Sequence, residues 1–284
     1  MKRILPILLL ALSACEPTMV PSEDPSRLIV EGWIDSGGHP VVMVSTPVAA
    51  QEQEKPATSL SSHVVSKATV TVTDDAGREY LLEGRVDRNY LPPYVYTNEE
   101  LTGEVGRTYR LKVNYGNHAA TGTTTIPRPL PLDRLEVTRS AYSDTLFLLT
   151  AWFTLPPGDT GHYRFFTRVR DKETMFYPSL LSGVDAHNYT GSLPVMRSWS
   201  LNLDRKPLFS PGEVVDVRFC AIDDAVWTYW ESFDAVASLG LNPFFPSFRN
   251  PKSNLTGAFG YWAGYGVTAA TVAIEYSPPP CPLY

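Results

Sequence analysis

Ala68-Thr-Val-Thr-Val-Thr-Asp-Asp-Ala-Gly77, which Tyr80 follows shortly after, is the stretch that decides the fold class. Val70 and Val72 alternate with threonines, and successive side chains of a strand point to opposite faces of a sheet. The turn residues that end the stretch then lead back to Tyr80. Alternation followed by a glycine-containing turn predicts a β-hairpin.

A second stretch, Gly106-Arg-Thr-Tyr-Arg-Leu-Lys-Val113, has the same period. Its aromatic and aliphatic residues fall on one face of a strand, and Arg110 and Lys112 fall on the other. Further strand-like runs lie at 28–34, 41–48, 79–82 and 119–126. About seven short strands within about 100 residues are typical of an immunoglobulin-like β-sandwich. We predict this fold for residues 27–127.

The stretch Ile126-Pro-Arg-Pro-Leu-Pro-Leu132 predicts a domain boundary, because its prolines stiffen the chain and cannot donate hydrogen bonds within a sheet. Residues 128–284 are expected to form a second β-rich, sandwich-like domain. Its strands are predicted at 134–139, 145–153, 162–170, 198–203, 213–222 and 266–276. The fold class is therefore mainly all-β.

One short helix is predicted in the second domain. Asp223 or Asp224 caps its start, and Val226, Trp230, Phe233 and Ala237 have the spacing of a buried stripe that ends near Gly240. Trp227, Glu231 and Asp234 fall on the opposite, more polar face.

The N-terminus has the order of a bacterial lipoprotein signal. Lys2 and Arg3 precede an apolar run that closes on Leu12-Ser-Ala-Cys15, and this run is too short to span a bilayer. We expect cleavage after residue 14, lipid attachment at Cys15 and an extended, proline-rich tether over 15–26. An ordinary cleaved signal with a chance cysteine is the alternative.

Charge and cysteine content narrow the possibilities further. Loss of Lys2 and Arg3 with the signal changes the net charge from −6 to −8, which argues against a nucleic-acid or anionic-membrane surface. Cys220 and Cys281 are the cysteines that remain besides the lipid anchor. An even count in an exported protein favours a disulfide, and two unpaired buried thiols are the alternative.

Motifs for metal binding, phosphate binding and nucleophilic catalysis are not found, and no cofactor is predicted. The adjacent carboxylates at 74–75 and 223–224 fit turn and helix-cap roles. A hydrolase would need residues from distant strands, such as Asp159, His162 and His187. We expect no enzymatic activity.

Aromatic residues cluster between positions 227 and 265, which hold 11 of the chain's 33 aromatic side chains. One interpretation is a binding surface, since aromatic residues are enriched at interface hot spots. The other is a loop that packs back onto the second domain as a small satellite core. The residues selected as a possible binding surface are Trp227, Phe244, Phe245, Phe248 and Trp262.

Several segments in a fixed order resemble one protein family. They are Val30-Glu-Gly-Trp-Ile34, Ala68–Gly77, Gly106–Val113, Thr123-Thr-Thr-Ile-Pro127, Asn242-Pro-Phe244 and Ser253-Asn-Leu-Thr-Gly-Ala-Phe-Gly260. Behind the lipoprotein signal, they resemble the outer-membrane lipoproteins of Bacteroidota grouped as domain-of-unknown-function family 4249.

Together with the lipoprotein signal and the missing catalytic motifs, the resemblance implies a non-catalytic, lipid-anchored protein of the outer membrane, expected at the cell surface, with the periplasmic face as the alternative. It also implies an accessory role to a TonB-dependent receptor in the capture of nutrients or other ligands. A structural or adhesive envelope protein is the alternative function, and a hydrolase is a third.

Overall fold

The computed structural model describes residues 27–47, 62–141, 143, 145–189, 191–197, 207–240 and 250–275. Within these ranges the chain is built mostly of strands with one α-helix, which confirms the mainly all-β prediction. The elements are β1 (Leu28–Asp35), β2 (Val41–Ser45), β3 (Thr69–Asp74), β4 (Glu79–Val86), β5 (Tyr94–Thr97), β6 (Thr108–Tyr115), β7 (His118–Thr125), β8 (Arg134–Arg139), β9 (Phe147–Trp152), β10 (His162–Val169), β11 (Tyr177–Asp185), β12 (Ser192–Val195), β13 (Val214–Ile222), α1 (Asp224–Gly240), β14 (Leu255–Thr256) and β15 (Ala258–Ala273).

The first sandwich forms because β4 runs from one layer into the other. Its first half, Glu79–Leu82, pairs with β3, and its second half, Glu83–Val86, pairs with β5. One layer contains β1, β2 and β5, and the other contains β3, β6, β7 and β14. The predicted hairpin is the β3–β4 pair, and the alternating valines Val70 and Val72 are fully buried in the core between the layers.

The second sandwich has its own core. Its layers are the β11-β10-β13-β15 part of the large sheet and a separate β12-β9-β8 sheet. Buried aromatic and aliphatic side chains of both layers meet between them, including Leu149, Phe165 and Phe219. The rings of Phe165 and Phe219 stack with centroids 4.4 Å apart.

Helix α1 packs on the other face of this second sandwich. Asp223 caps the helix, since its Oδ1 accepts a hydrogen bond from Val226 N at 2.9 Å, as the sequence predicts. Val226 and Trp230 are buried against Cys220 and Tyr265 of the sheet. Of the predicted stripe, Val226 and Trp230 are buried, Phe233 and Ala237 are half-buried, and the helix ends at Gly240 as predicted.

A single long strand joins the two sandwiches. The half of β15 from Ala258 to Tyr265 pairs with β1 in parallel, and the half from Gly266 to Ala273 pairs with β13 in antiparallel. Twelve strands therefore form one continuous sheet. The predicted linker at 126–132 lies between β7 and β8, but the hydrogen-bonded sheet runs across this boundary.

Trp262 lies within this shared strand and is fully buried in the core of the first sandwich. Its Nε1 donates a hydrogen bond to the carbonyl oxygen of Tyr109 at 3.0 Å. The prediction that Trp262 belongs to an exposed binding surface is therefore wrong. The physical reason is that the first half of β15 is covered on both faces, so its side chains alternate between two buried environments.

Several other features differ from the sequence prediction or lie beyond the described residues. The strands β5, β11, β12 and β14 were not predicted, and β15 begins eight residues before the predicted strand at 266. The predicted strand at 198–203 lies outside the described residues. None of the helical segments within the described ranges has the length and apolarity needed to cross a bilayer.

Candidate functional site

A cleft of about 560 Å³ opens on the continuous sheet, on the face opposite to the core of the first sandwich. Its floor consists of side chains from β1, β15, β13 and β10. Its walls are α1, the chain at 174–178, the loop at 90–91 and parts of β2 and β5. The cleft thus lies where the two sandwiches meet, which is a common position for ligand sites.

The alternation of β1 places three residues on the floor. Leu28, Val30 and Ile34 point into the first core and are buried. Glu31, Trp33 and Asp35 point to the opposite face and line the cleft. The parallel register of β15 then sets Tyr261 beside Glu31 and Tyr265 beside Asp35.

Helix α1 supplies the aromatic wall through Tyr229, Trp230 and Phe233, which follow one another on its sheet-facing side. The ring of Tyr229 lies 4.7 Å from that of Tyr261, measured between centroids, and Trp230 Nε1 donates to Tyr265 Oη at 3.2 Å. Burial raises the pKa of Tyr229, Tyr261 and Tyr265 far above that of a free phenol. These rings are therefore neutral at physiological pH.

Of the three arginines that line the cleft, Arg218 and Arg168 lie on its floor and pair with aspartates. Arg218 forms an ion pair with Asp35, and Arg168 donates a hydrogen bond to Asp216 at 2.9 Å. Both guanidinium groups also lie near the ring of Phe176, with Cζ to centroid distances of 5.1 and 4.7 Å. Burial raises the pKa of Asp35, and the charge of Arg218 opposes that shift.

Glu31 stands in a different situation. The cleft leaves it half-buried, and among the described residues no hydrogen bond or ion pair reaches its carboxylate. Burial raises its pKa, and no neighbouring positive charge offsets that shift. Its charge contributes to the raised pKa of Tyr229 and of Tyr261, which places these two phenols close to it.

Of the residues predicted as a binding surface, the two that the structure describes, Trp227 and Trp262, do not line the cleft. Trp227 is half-buried and stacks on His162, with ring centroids 4.7 Å apart and planes inclined by 5°, outside the lining of the cleft. Phe244, Phe245 and Phe248 lie outside the described residues. Five other aromatic residues of the 227–265 segment line the cleft, namely Tyr229, Trp230, Phe233, Tyr261 and Tyr265.

The predicted cysteine roles stay predictions. Cys15 and Cys281 both lie outside the described residues. Cys220 is fully buried beneath α1, and burial raises the pKa of its thiol to about 12.

The three residues considered for a hydrolase share no hydrogen bond with one another among the described contacts. Asp159 Oδ2 accepts a hydrogen bond from Tyr163 Oη at 2.5 Å and Oδ1 accepts from Gly161 N at 2.7 Å. His187 and His162 instead approach Asp185, with Nδ1 to Oδ1 distances of 3.0 and 3.9 Å. Hydrogen bonds from the backbone and ring of His187 lower the pKa of Asp185, which also caps the short 3₁₀ turn Ala186–Asn188.

Sequence reasoning did not select Glu31, Trp33, Asp35 or Arg218. A signal for the first three was present, because Glu31, Trp33 and Asp35 alternate with apolar or small residues over 30–35. No local signal marks Arg218, which reaches the cleft only through the order of strands in the sheet. The described residues also contain no group of three or more histidine, cysteine or acidic side chains arranged to hold a metal ion.

Fold and site together define a double β-sandwich protein with an aromatic cleft on the sheet that its two halves share. The family model described as Domain of unknown function (DUF4249) matches residues 16–271, and the chain therefore belongs to that family. No curated protein matches the chain.

Solved structures that match are distant. A cytokine receptor complex, crystal form 1A, is 9% identical, covers 89% of this chain and 100% of its own, and gives a TM-score of 0.25. A cytokine receptor complex, crystal form 2, is 10% identical, covers 68% of this chain and 90% of its own, and also gives a TM-score of 0.25. At such scores the likeness carries no argument about this chain.

Proposed function

We propose that this protein captures a small ligand in the cleft between its two sandwiches, without converting it, while a lipid on Cys15 anchors it to the outer membrane at the cell surface. In this proposal it acts as an accessory to a TonB-dependent receptor. The observation that carries the proposal is the aromatic cleft of about 560 Å³.

The cleft has the properties of a small-molecule site. Its volume lies within the range of roughly 300–1,000 Å³ that is usual for ligand pockets, and such pockets are lined mainly by apolar and aromatic groups with a few polar ones. Its floor is a single hydrogen-bonded sheet. A preformed floor lowers the entropic cost of ordering the site around a ligand.

The proposals of a lipid anchor and of a receptor partner are based on the sequence and on the family resemblance. The signal that ends at Cys15 supports lipid attachment, and the proline-rich tether supports a body held away from the membrane. The net charge of −8 after cleavage favours a soluble body that does not adhere to anionic lipid.

Affinity capture tests the anchor and the partner. A C-terminally tagged copy is purified from detergent-solubilised outer membrane, and co-purifying proteins are identified by mass spectrometry. Stoichiometric recovery of a TonB-dependent receptor is expected, whereas recovery of the protein alone would favour a stand-alone binder or an adhesive envelope protein. Cys15→Ala is the control and should leave the membrane fraction.

A second experiment tests ligand capture. Small molecules released from the denatured protein are compared by mass spectrometry between the wild type, Val41→Trp and Leu81→Trp. Val41 lines the cleft, so the larger ring should fill it, whereas Leu81 is 56% exposed on β4 and serves as the matched control. A compound lost only from Val41→Trp is expected. Equal contents in all three would contradict ligand capture, and chemical conversion of the compound would contradict its non-catalytic character.

A further inference from the structure

The charged groups that line the cleft are paired, with one exception. Asp35 pairs with Arg218, and Arg168 shares Asp216, just outside the lining, with Arg170. Glu99 pairs with Arg85 at 3.0 Å near the rim. Glu31 is the exception, since among the described residues no hydrogen bond or ion pair reaches its carboxylate.

The neighbours of Glu31 cannot compensate its charge. In the sheet it lies between Tyr261 of β15 and Met43 of β2, and Tyr229 of α1 lines the same cleft near it. These three side chains are neutral and largely buried. A carboxylate enclosed in this way is destabilised unless a positive group or hydrogen-bond donors reach it.

A cationic ligand would supply the missing charge and would also suit the surrounding rings. The faces of tyrosine and tryptophan attract ammonium groups through their quadrupole, and this attraction is stronger where water is excluded. An anionic ligand would instead meet the charge of Glu31, while Arg218 and Arg168 already contact aspartates and lie near Phe176. Arg85 already contacts Glu99.

We infer that the cleft binds an organic cation whose ammonium group contacts the Glu31 carboxylate and whose apolar body lies against the aromatic rings of α1 and β15. This inference rests on the proposed function, because it names the ligand class of the same cleft. The volume of the cleft suits an amine that carries one or more rings.

Three probes with the same ring and different head groups test the inference by isothermal titration calorimetry at about pH 8. Tryptamine is a cation, tryptophol is its neutral alcohol, and indole-3-propionate is an anion. The wild type should bind tryptamine on the order of tenfold more tightly than tryptophol and should bind the anion most weakly, because only the cation neutralises Glu31.

Two matched variants locate the effect. Glu31→Gln keeps the size of the side chain and should reduce tryptamine affinity to that of tryptophol. Glu231→Gln removes the same charge from an exposed position on α1 and should leave the preference unchanged. Because glutamine retains most of the local shape, a folded Glu31→Gln variant with an unchanged preference would overturn the inference.

The remaining outcomes separate the inference from the proposed function. Equal affinity for tryptamine and tryptophol, a preference for indole-3-propionate, or no binding of tryptamine would each overturn the inference. None of these results contradicts the proposal that the protein captures a ligand. That proposal is contradicted if Val41→Trp retains every compound that the wild type carries.

Discussion

The Arg164 guanidinium is buried under α1, and its neutralisation by one carboxylate fixes the helix to the sheet. Its side chain is 1% exposed, and both terminal nitrogens donate to Asp234 at 2.8 Å. The guanidinium also lies 4.6 Å from the ring centroid of Trp230, a wall residue of the cleft. This ion pair therefore positions the aromatic wall although it does not line the cleft.

Removal of one partner of the Arg164–Asp234 pair should lower stability strongly, because it leaves the other charge buried without compensation. We expect Asp234→Asn to lower the free energy of unfolding by about 3 kcal/mol, measured by urea denaturation. The double variant Arg164→Met with Asp234→Leu should lose less of the free energy of unfolding, since no charge of this pair remains buried. Glu100→Gln is the control: it breaks an exposed pair with Arg78 and should cost under about 1 kcal/mol. Equal losses for Asp234→Asn and Glu100→Gln would contradict this account.

Glu31 should make stability depend on pH in a defined direction. Burial raises the pKa of this carboxyl in the folded chain, so the unfolded chain releases the proton at lower pH. Deprotonation therefore favours unfolding, and the destabilisation grows as pH rises from the ordinary glutamate range near about 4 toward the raised value.

Glu31→Gln should remove this contribution. The free energy of unfolding of the variant minus that of the wild type is expected to increase between about pH 4 and about pH 7 in urea titrations. Glu231→Gln is the control for the loss of one negative charge. A difference for Glu31→Gln that stays constant with pH would show that the carboxyl is well solvated in the folded protein.

At the scale of elements, the floor of the cleft depends on β15, because the glycines of this strand allow other backbone segments to approach it closely. Gly260 has a φ of +105°, and a Cβ at this position would collide with the carbonyl oxygen of Val30 on β1. An ordinary residue there would separate β15 from β1, and these two strands carry the floor of the cleft.

Gly260→Ala and Gly77→Ala together separate the conformational cost of a side chain at positive φ from the cost of a steric collision. Gly77 also has a positive φ, +83°, but a Cβ there would meet nothing within 4 Å. Gly77→Ala should therefore lose only the conformational cost of about 1–2 kcal/mol, and Gly260→Ala should lose clearly more because of the collision. Thermal unfolding measures both. Similar losses would mean that β1 and β15 adjust without strain.

Elements with a local signal could be predicted from the sequence. The hairpin of β3 and β4 follows from alternation and a turn, and α1 follows from a capping aspartate and a buried stripe. The first half of β15 could not be predicted, because a strand covered on both faces loses the period of two that identifies strands. Its aromatic residues therefore allowed two interpretations, a binding surface and a satellite core, and the selection of Trp262 for the binding surface is wrong for this reason.

The cleft itself is a product of non-local pairing. Glu31 and Tyr261 are neighbours only because β1 and β15 pair in parallel, and Arg218 joins them through β13. Residue spacing contains no information on such pairing. The face of β1 that carries Glu31 could be predicted from alternation alone, but its partners across the cleft could not.

At the scale of the whole molecule, β15 makes the two sandwiches depend on each other. The first core contains Leu255, Ala258 and Trp262, which come from the C-terminal end of the chain. Truncation of one buried tryptophan alone typically costs about 3–5 kcal/mol, against a total stability of about 5–15 kcal/mol for a domain. The predicted domain 27–127 lacks all three side chains and the strand that pairs with β1.

We therefore expect residues 27–127 alone to show no cooperative unfolding transition in urea, whereas residues 15–284 should show one. Residues 250–266 joined behind 127 by a flexible glycine-serine linker should restore the transition, because they return β14 and the first half of β15. A linker of about 20 residues has an average span of about 25 Å, close to the length of that half-strand. Cooperative unfolding of 27–127 alone would instead establish that the first sandwich is independent, and the cleft would then lie between two separable units.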